Sequence, residues 1–342
     1  LDHPAPYFCR DSGMILNAAK TQFMVINGQP EDTSALPIDD RWVMNTQSYC
    51  YLGSIFCQDG KMSSALDAHC SEKSRHILKF KSYLAKNADA PFWVKKKVLD
   101  AALLSANFYG CESWLTVCLD RPSKWYHTAI KALLGVRSTA ANDLCLIETG
   151  YPTALGFVKK QQRRFFERLI AERADTPEDP FVQVLALARD ARTPGAKHID
   201  RLLNEHPDFE QTRLTSRVMN SARSKFVSYR SIINPRLVVH PMYVFTRSSA
   251  PEHSRIACSR FRLSSHSLKI ETGRWTRTPR DLRLCSCGAV QDELHALASC
   301  PRTQRQRDSA PSLAPFTLPD FFDNDSYRMC AFVEKCLSTL DA

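Results

Sequence analysis

Cys285, Cys287, His295 and Cys300 bring three thiols and one imidazole together within 16 residues. Soft thiolates with an imidazole are the donor set of tetrahedral zinc, so ligand type and spacing together point to a structural Zn2+ site. Seven residues separate Cys287 from His295, and four separate His295 from Cys300. The close cysteine pair predicts a knuckle, with Gly288 easing the turn that follows it. A short helix over Gln291 to Ser299 would then present His295, with Cys300 at its end and Pro301 stopping it. Metal binding would stabilise a segment too small to fold alone. The alternative is a set of ordinary buried thiols, since cysteine is among the most often buried residue types.

Upstream of this cluster, Arg255, Arg260, Arg262, Lys269, Arg274, Arg277, Arg280 and Arg283 crowd around His266 and Trp275. Arginine beside an exposed aromatic holds phosphates and stacks bases. Trp275 as a core anchor is the competing assignment. The remaining ten of the 13 cysteines show no ligand spacing and are expected in the core.

The net charge is +10, with Lys and Arg spread along the length of the chain. Such a surface suits a polyanion, because each neutralised phosphate releases condensed counterions. From charge alone, a solvated basic surface is an equal alternative. There is no apolar run long enough for a membrane span and no secretory signal pattern, so an intracellular protein with no membrane contact is expected. The chain opens on Leu1, which is read as a cut from something longer.

The elements that must position these residues are mostly helices, since glycine is sparse and proline scattered. Strand signals are confined to Tyr7–Phe56, with runs at Phe23–Ile26 and Tyr49–Phe56. Apolar residues at helical spacing predict a basic amphipathic helix from Ser63 to Asn87 and a second opened by Pro91. A third runs from Pro122 to Leu134 and is capped by Gly135. A fourth runs from Thr153 to Ala174, with Lys159, Lys160, Arg163, Arg164 and Arg168 on one face, either along a phosphate backbone or simply solvated. The stretch from 206 to about 251 is expected to be irregular, with short helical pieces.

Several short motifs in this order resemble the C-terminal half of LINE-type (non-LTR) retrotransposon reverse transcriptases. The segment from Gly13 to Met24 is similar to the palm strand and turn after the catalytic aspartates. Tyr51-Leu52-Gly53-Ser54 with Asp59-Gly60 resembles the primer-grip hairpin. Tyr109-Gly110-Cys111-Glu112-Ser113-Trp114 and Leu133-Leu134-Gly135-Val136-Arg137 resemble thumb helices. Gly273-Arg274-Trp275, Pro279-Arg280 and Arg283-Leu284-Cys285 resemble the entry to the family's zinc-binding domain.

The resemblance implies a mainly α fold: a small N-terminal β-hairpin or sheet, a helical thumb and connector, and a C-terminal zinc knuckle. It divides the chain into a palm remnant with primer grip (1–60), a thumb (61–175), a connector (176–250), a basic zinc-binding domain (251–310) and a tail helix (311–342). It implies that Lys20 lies near nucleotide phosphates, that Tyr51 and Gly53 lie near the primer end, and that RNA and DNA are the partners in a nuclear or cytoplasmic ribonucleoprotein. Arg274, Trp275 and Arg280 would lie on the nucleic-acid side of the zinc domain. The family's aromatic-x-Asp-Asp dyad should precede Gly13 and is not found there; Asp39-Asp40 comes after the motif, beside Pro37, and reads as a turn. Two-metal phosphoryl transfer needs those carboxylates. Mg2+ therefore belongs to a full-length parent that supplies the fingers, dyad and endonuclease, and this chain is expected to bind without polymerising. A stand-alone zinc module that grips nucleic acid, or the remnant of a decayed element, are the alternatives.

Overall fold

The computed structural model describes residues 11–13, 17, 20–28, 35–38, 41–173, 175–244, 250–316 and 326–341. Asp39 and Asp40, and parts of the Gly13 to Met24 motif, lie outside the described residues.

Extended structure is confined to the N-terminal region. Strands β1 (Leu36–Ile38) and β2 (Arg41–Val43) pair antiparallel, as do β3 (Ser48–Tyr51) and β4 (Ser54–Cys57). The β3–β4 turn places Leu52 at φ 48° and Gly53 at φ 84°. Two central residues at positive φ give the turn that matches strand twist, which is why glycine stands at the second. The strand expected at Phe23–Ile26 is only one parallel bridge, Phe23 to Asn45. Its chain turns away at once, with the Asn27 N–H on the Gln58 carbonyl at 2.8 Å.

The rest is helical: α1 (Met62–Lys73), α2 (Arg75–Lys86), α3 (Phe92–Val98), α4 (Asp120–Leu134), α5 (Asn142–Thr149), α6 (Ala154–Glu172), α7 (Pro180–Asp190), α8 (Pro194–Asn204), α9 (Phe209–Asn220), α10 (Glu252–Arg262), α11 (Lys269–Trp275) and α12 (Ser326–Asp341). The helix expected over 63–87 divides at Ser74, which keeps helical angles (φ −54°, ψ −35°) while the Ile77 N–H bonds the Ser74 carbonyl at 3.3 Å in a tighter turn. Gly135 caps α4 in the left-handed conformation. Thr153 caps α6 by accepting from the Gly156 N–H. Asp179 and Thr193 cap α7 and α8, each with proline as the first helical residue. The stretch expected to be irregular holds a three-turn helix, α9, whose Glu210, Leu214 and Val218 recur at four-residue spacing and are buried.

One hydrophobic cluster runs from Leu66 to Leu340, and α10 and α12 pack together within it. A satellite of Phe166, Leu185, Ile199 and Leu202 joins α6, α7 and α8. Inside the main cluster, Arg262 donates to both carboxylate oxygens of Glu148, at 3.3 Å through Nη2 and closer through Nε. Tyr229 donates its hydroxyl to Glu148 and accepts from Asn234 Nδ2 at 2.9 Å. Nearby, Glu252 receives Lys95 at 3.0 Å and Arg255 at 2.7 Å. Arg255 and Arg262 therefore belong to the core and not to the surface patch expected from sequence. Each lies in α10 opposite a buried carboxylate, where pairing offsets the cost of burial.

Tyr126 is fully buried, and its hydroxyl has no hydrogen-bond partner among the described residues. An unpartnered buried hydroxyl carries a desolvation cost of about 1–3 kcal/mol. Tyr126→Phe is therefore expected to raise stability by about 1 kcal/mol. Tyr229→Phe, which strips a donor from buried Glu148, should lower stability by a comparable or larger amount. Urea titration of the pair decides it, and equal losses for both would refute the assignment.

Candidate metal centre and the basic face beside it

The cluster is built on a short loop pinned at both ends. Leu284 and Val290 form an antiparallel bridge, and the Cys285 N–H bonds the Ala289 carbonyl at 2.7 Å. Gly288 closes the knuckle at φ 92°, a conformation that disfavours any side chain. The chain then enters a helical turn whose last part, His295–Ser299, is π-helical, with the Cys300 N–H on the His295 carbonyl at 2.8 Å. Asp292 accepts the His295 N–H at 2.9 Å and so caps that turn.

The four ligand atoms lie within 4.8 Å of one another, and this Cys3His cluster can hold a metal ion. Cys285 Sγ and Cys300 Sγ are 3.8 Å apart, and Cys287 Sγ and His295 Nε2 are 3.2 Å apart. Two sulfurs each about 2.3 Å from a tetrahedral centre would stand about 3.8 Å apart, so the pocket has the dimensions of such a site. Ser299 Oγ lies 3.4 Å from Nδ1 of His295, which leaves Nε2 as the ligand and orients the ring. Gln291 Nε2 is 3.9 Å from Cys285 Sγ. Burial raises the Cys285 thiol, but the Cys287 N–H and the His295, Cys287 and Cys300 side chains outweigh it and bring it down to about 6. A thiol already disposed to ionise is a ready ligand. The Cys300 thiol is raised, first by burial.

Supports converge from outside the loop. Arg307 Nη2 donates to the Cys300 carbonyl at 2.7 Å, and Arg302 Nη2 donates to the Thr339 carbonyl in α12 at 2.7 Å. Arg283 lies across Gly273 of α11 and donates to the carbonyls of Thr278 and Ile270. A Cβ on Gly273 would stand 2.7 Å from that arginine's methylenes, so glycine is required for the crossing.

The basic residues named from sequence divide into those held by the protein and those left open. Lys159 is taken up by Glu205 and Glu210, both at 2.8 Å, and Arg163 bonds the Leu202, Leu203 and Glu205 carbonyls. Lys160 and Arg164 are exposed. Arg274 pairs with Glu271 at 3.0 Å, and Arg280 reaches Asp292 at 3.5 Å. His266 is buried, with Nε2 3.2 Å from Glu293. Trp275 is 58% exposed, which makes it a surface platform and not a core anchor. The Arg137 guanidinium stacks 4.2 Å from its ring centroid.

At the other end of the chain, Tyr51 is exposed on the β3–β4 hairpin, and Gly53 sits against the Tyr109 ring, whose hydroxyl donates to the Leu52 carbonyl at 2.9 Å. Lys20 is exposed in a turn closed by its N–H on the Asn17 carbonyl at 3.0 Å. The hairpin and the metal loop thus stand on different elements.

Sequence reasoning did not assign Arg137 to the Trp275 face. Only its place two residues past the α4 cap hinted at a turn, and nothing in the spacing linked it to Trp275. Ser299 was likewise invisible as the partner of His295 until the π-turn fixed their relation. Comparison with family models, with curated proteins and with solved structures found no match.

Proposed function

We propose that this chain is the nucleic-acid-binding end of a LINE-type reverse transcriptase, organised by a structural Zn2+ ion and binding RNA or DNA without polymerising by itself. The observation that carries the proposal is the exposed Trp275 with Arg137 stacked on it, on the helix that leads into the Cys3His loop. Aromatic platforms backed by arginine take unpaired bases, and a distributed charge of +10 supplies sequence-independent affinity for phosphate. Zn2+ fits because four protein donors close the coordination shell, which is the arrangement of a structural and not a catalytic site. When bound, the ion fixes the relative positions of the knuckle and the π-turn. The chain's own residues do the rest: Ser299 sets the imidazole, Arg307 holds the Cys300 backbone, and Arg283 holds α11.

In this proposal the polymerase dyad, Mg2+, template–primer positioning and target choice belong to a longer parent, and the β3–β4 hairpin with Tyr51 and Gly53 faces the primer end. A stand-alone zinc-dependent binding module would share the same platform.

The test is metal content together with anisotropy of a labelled RNA oligonucleotide across a salt series. About one Zn2+ per chain, affinity that falls linearly in log–log against salt, and a loss of about 1–3 kcal/mol on Trp275→Ala are expected. Salt-insensitive binding, or a Trp275→Ala variant that binds like the wild type, would sink it.

A further inference from the structure

A second cationic feature lies on the other side of the Gly135–Arg137 turn. A cavity of about 280 Å³ is lined by Lys81 from α2, by Lys124, His127 and Lys131 from α4, and by Ser138 and Asn142 beyond the turn. Among the described residues that line it, none is acidic. Its nearest carboxylate by sequence, Asp143, is gripped by Arg217 through both oxygens, at 2.9 and 3.0 Å. Lys81 and Lys124 have no ion pair among the described residues, and Lys131 donates to the Ser138 carbonyl at 2.6 Å, which leaves further ammonium protons. Burial lowers both Lys131 and His127, and Lys131 lowers His127 further against the opposing pull of Asp143, so both are held partly out of water. Three ammonium groups and an imidazole around one concavity are stabilised by an anion that fills it.

The ligand's chemistry follows from what adjoins the cavity. Val136 lines it and also lines a larger cleft, which Arg137 and Arg260 line together with Glu334 and Asp341. Arg137, the next residue, is stacked on exposed Trp275. The cavity and the Trp275 platform are thus joined through the adjacent residues Val136 and Arg137, and a strand is the ligand that offers phosphate to the one and a base to the other. Because stacking on Trp275 requires an unpaired base, the strand is single.

We infer that the cavity of Lys81, Lys124, His127 and Lys131 is a phosphate site that takes one backbone phosphate of a single-stranded nucleic acid, one of whose bases stacks on Trp275. The inference rests on the nucleic-acid function proposed above, and it adds a site on α2 and α4, apart from the metal loop.

The probes are a labelled oligouridylate of about twelve nucleotides, within the site sizes such grooves take, and inorganic pyrophosphate. Each is titrated against the wild type, Lys81→Ala/Lys124→Ala and, as a control of equal charge loss, Lys86→Ala/Lys197→Ala. All four lysines are exposed, and circular dichroism checks that each variant folds. Loss of the pocket lysines should weaken oligouridylate binding about tenfold and flatten the salt slope by about 0.7, the value for one single-strand phosphate released. The control should change the slope little.

Wild-type binding that the pocket variant and the control reduce equally overturns the site and leaves the proposed function standing. No wild-type binding to oligouridylate removes the function and the site together. Tight one-to-one binding of pyrophosphate, lost in the pocket variant while oligouridylate binding is unchanged, assigns the cavity to a free anion and overturns the strand assignment.

Discussion

Replacing Cys300 with serine is expected to release the metal and unfold the loop that carries it. Cys300 is fully buried, its carbonyl is held by Arg307, and its sulfur stands at tetrahedral spacing from Cys285. The loop sends Ala296 and Leu297 into the main core, but Leu284 and Leu294 are exposed, so its own apolar burial is limited. Structural zinc contributes about 10–16 kcal/mol to folding in small isolated modules, and here the core under α10 and α12 carries part of that load. A loss of more than about 4 kcal/mol, concentrated in residues 284–300, is therefore expected. Metal analysis gives the stoichiometry, and amide hydrogen exchange locates the loss. Chelation of the wild type should reproduce the pattern, and added Zn2+ should reverse it. Cys118→Ser, at an exposed free cysteine, should keep the metal and the protection. Retention of the metal by Cys300→Ser, with unchanged exchange across the loop, would remove the centre from the fold.

The second large effect lies in the core. Glu148→Gln removes the charge that faces buried Arg262 and keeps the shape. Because Glu148 and Arg262 are almost entirely out of solvent, the uncompensated guanidinium should cost about 3–5 kcal/mol. The double change Glu148→Leu/Arg262→Met should recover only part of that, since an apolar pair avoids desolvating the two charges but leaves the buried Tyr229 hydroxyl without its acceptor. Urea midpoints of the wild type, the single variant and the double variant measure the coupling. A single variant within about 0.5 kcal/mol of the wild type, the usual effect of a surface change, would mean that the pair is hydrated and not buried.

Much of the helical architecture is legible in the sequence because its punctuation is explicit. Gly135 and Thr153 each mark a helix end that the structure places within a residue or two. The metal cluster was legible for a similar reason, since ligand chemistry and short spacing need no tertiary information. What remained hidden depends on distant partners. Arg255 and Arg262 have the same chemistry as Arg260, and only Glu252 and Glu148, the latter far away in sequence, turn two of the three inward. Lys159 looked like part of a basic stripe until Glu205 and Glu210 arrived from α8's end and α9. The Phe23 run has the composition of a strand, but composition does not supply a neighbouring strand to pair with.

The main core joins Leu66 in α1 to Leu340 in α12, and α12 contributes Met329, Cys330, Phe332, Val333, Cys336 and Leu337 to it. Contacts of such wide sequence separation form late, because loop-closure entropy must be overcome before they add stability. During synthesis at about 5–20 residues per second, the α10 surface that receives α12 stays uncovered for seconds after it is made. The nascent chain therefore passes through a stage with an apolar trough open to solvent, in which a chaperone or a second chain competes with α12 for the seat.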